Sequence, residues 1–254
     1  MKKKNLYVLG GSGLIGSSLI ERVSLENYKI INLDILKKNA DKNIIFKKFD
    51  CTNLKNLEKK LLKIFEELGN PDCLVNCSYP ITNDWINNNF KNIKIDSFLK
   101  NLNIHLGSYC WISKIFAEKM IKHNISGKIV MLSSIYGTYL AQNSENYKNT
   151  AMKENMTYPI IKSGISGATK QFAQYYGKNN IQVNSVCPGL IKGHVKGTRN
   201  KQDKKFLKRY LNKTSLKKIC HPKEIADLIN FLISDENTYI TGQSVVIDGG
   251  YSIV

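Results

Sequence analysis

Short apolar runs alternate with amphipathic runs along most of the chain. The short runs predict β-strands at residues 5–9, 29–34, 44–50, 73–77, 128–133, 182–187 and 244–248. The amphipathic runs have apolar residues three and four positions apart, which predicts helices at residues 14–23, 54–68, 97–123, 158–176 and 223–234. Strands and helices are therefore expected to follow one another in regular alternation.

This alternation predicts an α/β fold, because a helix between two strands returns the chain to the same end of the sheet. The sheet should be doubly wound and mainly parallel, with helices on both faces, since its apolar strands show no polar alternation. Neither a linker nor an internal repeat divides the 254 residues, so we expect a single domain over 1–254. Ligands of such sheets bind at the carboxyl ends of the strands.

A glycine-rich turn directly follows the first predicted strand. Gly10, Gly13 and Gly16 recur at intervals of three, and Gly11 also gives the spacing G-x-G-x-x-G. Glycines let the backbone approach a pyrophosphate, and the helix behind them offers free N–H groups. Asp34 ends the second strand, where a carboxylate binds ribose hydroxyls and repels a 2′-phosphate. The turn predicts dinucleotide binding with NAD favoured, although nearby lysines at 37 and 38 keep NADP open.

Tyr158 and Lys162 are four residues apart at the start of a predicted helix. That spacing puts both side chains on one helical face. A nearby ammonium favours the phenolate and lowers the pKa of a tyrosine, which makes it a proton donor that works near neutral pH. The spacing alone occurs by chance, so its meaning depends on the other motifs.

Together these motifs resemble those of the short-chain dehydrogenase/reductase family. The resemblance covers nearly the whole chain and includes Asp50-Cys51-Thr52, Asn76-Cys77-Ser78, Ser134 after a strand, Pro188-Gly189, Thr241-Gly242-Gln243 and Asp248-Gly249-Gly250. It implies a Rossmann fold and hydride transfer with Ser134, Tyr158, Lys162 and Asn103 as catalytic residues. It also implies cofactor contacts from Gly10, Ser12, Gly13, Leu14, Ile15, Gly16, Asp34, Asp50, Cys51, Asn76, Cys77, Ser78, Tyr158, Lys162, Pro188, Gly189 and Ile191.

The chain departs from the family pattern at two places. Ser134 and Tyr158 are 24 residues apart, about twice the common spacing, so residues 136–157 should form a longer loop over the active site. Asn103 lies one residue earlier than expected when counted back from Gly107. A local bulge would restore its position, and without one the proton relay is altered.

The long loop contains Tyr147-Lys148-Asn149-Thr150-Ala151-Met152, and Ser-Ile-Tyr-Gly comes before it. With Cys77-Ser78-Tyr79-Pro80, these residues resemble those of a subgroup in surface-polysaccharide and flagellin-glycan biosynthesis. This implies a sugar-type substrate, phosphorylated or nucleotide-linked, with contacts from Ser134, Tyr136 and Tyr147. A lid at about 190–218, with His194, Arg199 and Arg209, is expected to close over an anionic substrate or to be a solvated basic flap.

The chain is strongly basic, with a net charge of +18. Lysines occur throughout, so a general compositional bias explains the charge better than an anionic substrate, and nucleic acid is disfavoured as a partner. The six cysteines lack the spacing of a metal site, so no metal is expected. No run is apolar enough to span a membrane, and a cytoplasmic enzyme is the expectation.

The sequence thus predicts an NAD(P)-dependent oxidoreductase acting on a sugar or a nucleotide- or phospho-sugar. A ketone or 3-oxoacyl reductase is the alternative within enzymes. A dinucleotide-sensing or nucleic-acid-binding protein on the same fold is the alternative from another class. By analogy with the family, the protein should form a homodimer or homotetramer.

Overall fold

The computed structural model describes residues 3–23, 27–38, 41–138, 140–193 and 202–253. His194 and Arg199 of the expected lid lie outside these described residues. Within them, no helix is both long enough and apolar enough to cross a membrane.

The centre of the fold is a sheet of seven parallel strands in the order β3-β2-β1-β4-β5-β6-β7. Its strands are β1 (Lys4–Leu9), β2 (Tyr28–Asp34), β3 (Ile45–Lys48), β4 (Cys73–Asn76), β5 (Lys128–Leu132), β6 (Gln182–Pro188) and β7 (Ser244–Ile247). The order reverses direction between β1 and β4, which creates a crevice at their carboxyl ends. The predicted doubly wound fold is confirmed.

Eight α-helices flank this sheet among the described residues. They are α1 (Leu14–Arg22), α2 (Leu57–Leu68), α3 (Ile95–Asn101), α4 (Ser108–Lys122), α5 (Ser144–Tyr147), α6 (Thr157–Tyr176), α7 (Lys204–Asn212) and α8 (Pro222–Ile233). Their ends follow local chemistry. For example, α8 begins with a capping box between His221 and Glu224 and has Pro222 in its first turn.

Two apolar cores lie on opposite faces of the sheet. One contains the side chains of α2, α4 and α6, with the rings of Tyr7, Phe65 and Phe116 packed edge to face at its centre. The other contains those of α1 and α8. Strand residues such as Leu6 and Tyr7 are fully buried on alternate faces, which is why these strands read as continuous apolar runs.

The helix predicted over residues 97–123 is interrupted. Its first part is α3 and its last part is α4, and between them Leu102–Gly107 forms a π-helix. A π-helix adds one residue to a turn, so it shifts which side chains face inward. The bulge proposed from the position of Asn103 is therefore present.

Candidate active site

The glycine turn is packed too closely to accept larger residues. Gly10 has a φ of +71°, and a Cβ there would lie 2.8 Å from the backbone of Ser78. A Cβ on Gly16 would collide with the carbonyl oxygen of Gly10, and Gly13 forms the N-cap of α1. The backbone can therefore come close to a pyrophosphate at a helix N-terminus, so these residues fit a dinucleotide.

Asp34 closes the side of this turn. Its carboxylate accepts hydrogen bonds from the backbone N–H groups of Ser12 (3.0 Å) and Leu36 (3.1 Å). The Ser12 hydroxyl in turn donates to the Leu36 carbonyl at 2.6 Å. Asp34 is thereby fixed at the end of β2, where the sequence predicted a ribose-binding carboxylate.

The Asn76–Ser78 segment faces the glycine turn from the end of β4. Asn76 is fully buried, and its Oδ1 accepts hydrogen bonds from the backbone N–H (3.1 Å) and hydroxyl (2.6 Å) of Ser78. The Tyr109 hydroxyl of α4 lies within hydrogen-bond distance of the carbonyl oxygens of Asn76 (3.0 Å) and Ser78 (2.7 Å). These contacts fix the Asn76–Ser78 segment at the end of β4.

A cavity of about 440 Å³ occupies the crevice between these segments. Of the predicted cofactor residues, Gly10, Ser12, Gly13, Asp34, Asp50, Cys51, Cys77 and Ser78 line it. Leu36, Lys38, Thr52 and Tyr79 line it as well and were not among the predicted contacts. The cavity is large enough for part of a dinucleotide.

The other predicted cofactor residues do not line this cavity. Gly16 packs under the turn, Ile15 packs against the core of α1 and α8, and Leu14 is half exposed. Asn76 does not reach the cavity itself but fixes Ser78, which lines it, through two hydrogen bonds. The Pro188–Ile191 segment leaves the end of β6, where Gly189 donates its N–H to the Ile247 carbonyl at 3.0 Å.

Tyr158 and Ser134 meet at the carboxyl edge of the sheet. Ser134 follows β5 and Tyr158 lies in the first turn of α6, and the Tyr158 N–H is held by the Asn155 side chain at 2.8 Å. Burial raises the pKa of Tyr158, and hydrogen bonding to the Ser134 hydroxyl acts in the opposite direction. The net shift is upward, contrary to the lowering expected from Lys162, because desolvation of the phenolate dominates.

Lys162 lies one turn further along α6 and is only 2% exposed. Its ammonium donates to the Leu132 carbonyl at 2.8 Å and lies 5.8 Å from the centre of the Tyr158 ring. The rings of Tyr79 and Tyr109 are equally near, at 5.5 and 5.4 Å. A buried cation is thus enclosed by three tyrosines, which stabilise it through their ring faces.

Asn103 and His105 occupy different sides of the π-helix. The Asn103 side chain is exposed, and its Oδ1 is 3.5 Å from the position that a Cβ on Gly107 would take. His105 is fully buried, with its ring centre 5.0 Å from that of Tyr79 and 5.5 Å from that of Tyr109. The residue nearest to the tyrosine cluster is therefore His105, and the role of Asn103 stays a prediction.

The predicted substrate contacts Tyr136 and Tyr147 lie close to Tyr158. The Tyr136 ring centre is 6.5 Å from that of Tyr158. Its hydroxyl is buried, and the Tyr147 side chain is its neighbour. Both tyrosines pack in a small third core with Phe206 and Tyr210 of α7. The described part of the expected lid thus contacts the long loop.

Two aromatic residues lie at the site but were not predicted from the sequence as site residues. Tyr79 lines the dinucleotide cavity and lies 6.1 Å from Tyr158, measured between ring centres. Trp85 packs edge to face on Tyr79 at 6.0 Å. The available signal was that Tyr79 directly follows Ser78, a predicted cofactor contact. Tyr79 connects the cavity with the catalytic pair.

Known proteins resemble this chain over almost its whole length. A family model described as enoyl-(acyl carrier protein) reductase matches residues 28–252. Post-translational flagellin modification protein A of Campylobacter coli is 30% identical, covering all of both chains. The 3-oxoacyl-[acyl-carrier-protein] reductase FabG of Buchnera aphidicola is 29% identical, covering 98% of this chain and 97% of the relative.

Solved structures show the same relationship. The crystal structure of a short chain dehydrogenase from Leptospira borgpetersenii with bound NAD+ superposes with a TM-score of 0.85. It is 27% identical and covers 99% of this chain and 94% of the other. The parallel seven-stranded sheet with helices on both faces agrees with these similarities. The chain belongs to the short-chain dehydrogenase/reductase family of oxidoreductases.

Proposed function

We propose that the protein transfers a hydride between nicotinamide and a carbinol or carbonyl carbon of a sugar or sugar-derived substrate. The observation that carries this proposal is the meeting of Ser134, Tyr158 and the buried Lys162 beside the dinucleotide cavity. Tyr79 belongs to the cavity wall and is also adjacent to Tyr158, so a cofactor in the cavity has a route to the catalytic pair.

Each polar group has a role in this reaction. Bound nicotinamide would supply or accept the hydride. Tyr158 exchanges a proton with the substrate oxygen as general acid or base. Ser134 donates a hydrogen bond to that oxygen as its charge develops. Lys162 holds positive charge near Tyr158 and would bind the nicotinamide ribose.

We propose NAD as the preferred cofactor. Asp34 is fixed by two backbone N–H groups, so its carboxylate stays at the place where the adenosine ribose binds. A 2′-phosphate there would meet a negative charge. The bound NAD+ of the similar Leptospira borgpetersenii protein supports the same choice. Among the described residues of the cavity wall, Lys38 is the charged group that favours NADP.

The proposal of a sugar-type substrate is based on the long Ser134–Tyr158 segment and on the similarity to the Campylobacter coli relative. That relative is named for flagellin modification and aligns over its full length. The FabG relative and the family model favour the alternative, reduction of a 3-oxoacyl thioester. We further propose that residues 190–218 form the substrate lid of a single domain and that the protein is a homo-oligomer.

The test is a turnover screen that follows the absorbance of NADH. Sugars, sugar phosphates and nucleotide sugars are offered with NAD+ or NADP+, and 3-oxoacyl thioesters are offered with NADH or NADPH. Turnover of a sugar derivative with NAD+ is the expected result. Turnover of the thioesters alone would establish the alternative.

The Tyr158→Phe variant links the turnover to the proposed site. It keeps the ring and removes the proton that the mechanism needs, so turnover should be abolished while the affinity for NAD changes by no more than a few-fold. Normal turnover by this variant would contradict the role of Tyr158 as general acid or base.

A further inference from the structure

A second cavity, of about 370 Å³, opens to the surface beside the long Ser134–Tyr158 segment. Its charged lining residues are Lys91, Lys148, Lys153 and Glu154. Lys148 also forms a 3.7 Å ion pair with Glu145, and exposed pairs of this kind contribute little. With three lysines and one glutamate in its lining, the cavity has a positive excess.

The two walls of this cavity are tied together by the fully buried Asn88. Its carbonyl accepts the Met156 N–H at 2.8 Å, and its Oδ1 accepts the Thr157 hydroxyl at 2.7 Å. Its Nδ2 donates to the Ser97 hydroxyl at 2.8 Å. Lys91 follows Asn88 closely in sequence and Lys153 shortly precedes Met156, so the backbones carrying both lysines are fixed relative to each other.

The Arg209 guanidinium of α7 binds the segment that contributes Lys148 to the cavity. It donates to the carbonyl oxygens of Lys148 and Asn146, and the Asn146 side chain donates to the Tyr251 hydroxyl at 2.8 Å. Asn146 is fully buried. The segment that carries Lys148 is thereby attached to the core beneath it.

Tyr147 connects this cavity with the catalytic site. It lines the cavity and packs in the same small core as Tyr136, whose ring is next to that of Tyr158. The pKa of Tyr147 is raised by burial first and by the neighbouring Tyr158 second. Tyr147 therefore belongs both to the cavity lining and to the group of side chains next to Tyr158.

We propose that this cavity binds the phosphate of a phosphorylated sugar whose reacting carbon lies at Tyr158. The inference rests on the proposed function and assigns a binding site to the phosphate of its substrate. Phosphate esters carry nearly two negative charges at neutral pH, and lysine ammonium groups bind them as point charges. The same chemistry suits a sugar phosphate or the diphosphate of a nucleotide sugar.

The experiment measures binding by calorimetry to protein that is saturated with NAD+, so that the dinucleotide cavity is occupied. The probes are glucose 6-phosphate, UDP-glucose, glucose and inorganic phosphate. The test variant is K91Q/K148Q/K153Q. The control is K59Q/K60Q/K63Q, which removes the same charge from exposed positions on α2.

At least one phosphorylated sugar should bind the unaltered protein more tightly than glucose or inorganic phosphate does. The test variant should weaken that binding about tenfold or more, and the control should change it less than twofold. Tighter binding of glucose 6-phosphate identifies a monoester site, and tighter binding of UDP-glucose identifies a diphosphate site.

Equal weakening in both variants, or no binding of either phosphorylated sugar to the unaltered protein, would overturn the inference. A protein that binds a phosphorylated sugar through these lysines but oxidises none in the turnover screen would contradict the proposed function and leave the phosphate site standing.

Discussion

The Tyr158 hydroxyl is under two opposing influences. Burial raises its pKa because the phenolate loses hydration, whereas the Ser134 hydroxyl lowers it by hydrogen bonding to the phenolate. Carbinol oxidation requires the phenolate as base, so its rate should rise with pH up to the pKa. Carbonyl reduction requires the neutral phenol, so its rate should fall above the pKa.

Ser134→Ala should shift the rising limb of kcat for carbinol oxidation to higher pH. The variant removes the hydroxyl that lowers the Tyr158 pKa, and it also removes a hydrogen bond to the substrate oxygen, which costs about 10²-fold or more in kcat. The pH profile of kcat checks the prediction. Ser134→Thr keeps a hydroxyl and should retain the original limb, and an unshifted limb in Ser134→Ala would contradict this role.

Asp34→Asn should weaken the discrimination against NADP. The amide keeps an oxygen that can accept one of the two backbone N–H groups but removes the negative charge, so affinity for NADP should rise about tenfold and affinity for NAD should fall. Titration of protein fluorescence with each cofactor measures both. Asp41→Asn, an exposed change of equal charge, should leave both affinities unaltered.

The π-helix between α3 and α4 turns His105 into the tyrosine cluster and leaves Asn103 at the surface. His105 is fully buried against Tyr79 and Tyr109, and those two rings also contact the Lys162 ammonium. The π-helix thereby determines which side chain packs against the two tyrosines that contact Lys162. Within the π-helix, His105 should make the main contribution to the free energy of unfolding.

His105→Ala should lower the free energy of unfolding by about 2–4 kcal/mol, because it leaves a cavity between aromatic rings. Asn103→Ala should change it by less than about 0.5 kcal/mol, because an exposed side chain loses little packing. Urea denaturation of both variants checks the pair. A loss in Asn103→Ala equal to that in His105→Ala would show that the two side chains are not placed as described.

The strands and most helices could be predicted from the sequence, because short apolar runs and helical spacing report burial directly. The positions of the glycine turn and of Asp34 could be predicted because each comes directly at the end of a predicted strand. The π-helix could only be suspected from the single-residue offset of Asn103. The inward position of His105 could not be predicted, since it depends on packing against Tyr79, which is distant in sequence. The Tyr79–Trp85 contact could not be predicted either, because it depends on the conformation of the irregular loop between the two residues.

Positive charge dominates the surface of the protein. The chain has 38 lysine and arginine residues against 20 acidic ones. Within the described residues the structure has six ion pairs, and their side chains are largely exposed. Such pairs contribute about 0–1 kcal/mol each. Repulsion among the unpaired cations should therefore outweigh the attraction within the pairs.

Added salt should consequently stabilise the protein. Raising NaCl from about 0.02 M to about 0.5 M shortens the screening length well below 10 Å and should raise Tm by a few degrees, as measured by scanning calorimetry. The variant K208E reverses one exposed charge on α7, three and four residues after Lys205 and Lys204. It should have a higher Tm than the unaltered protein at low salt and a smaller rise with salt, because less repulsion remains to be screened. A Tm that falls as NaCl is added would instead mean that the ion pairs outweigh the repulsion.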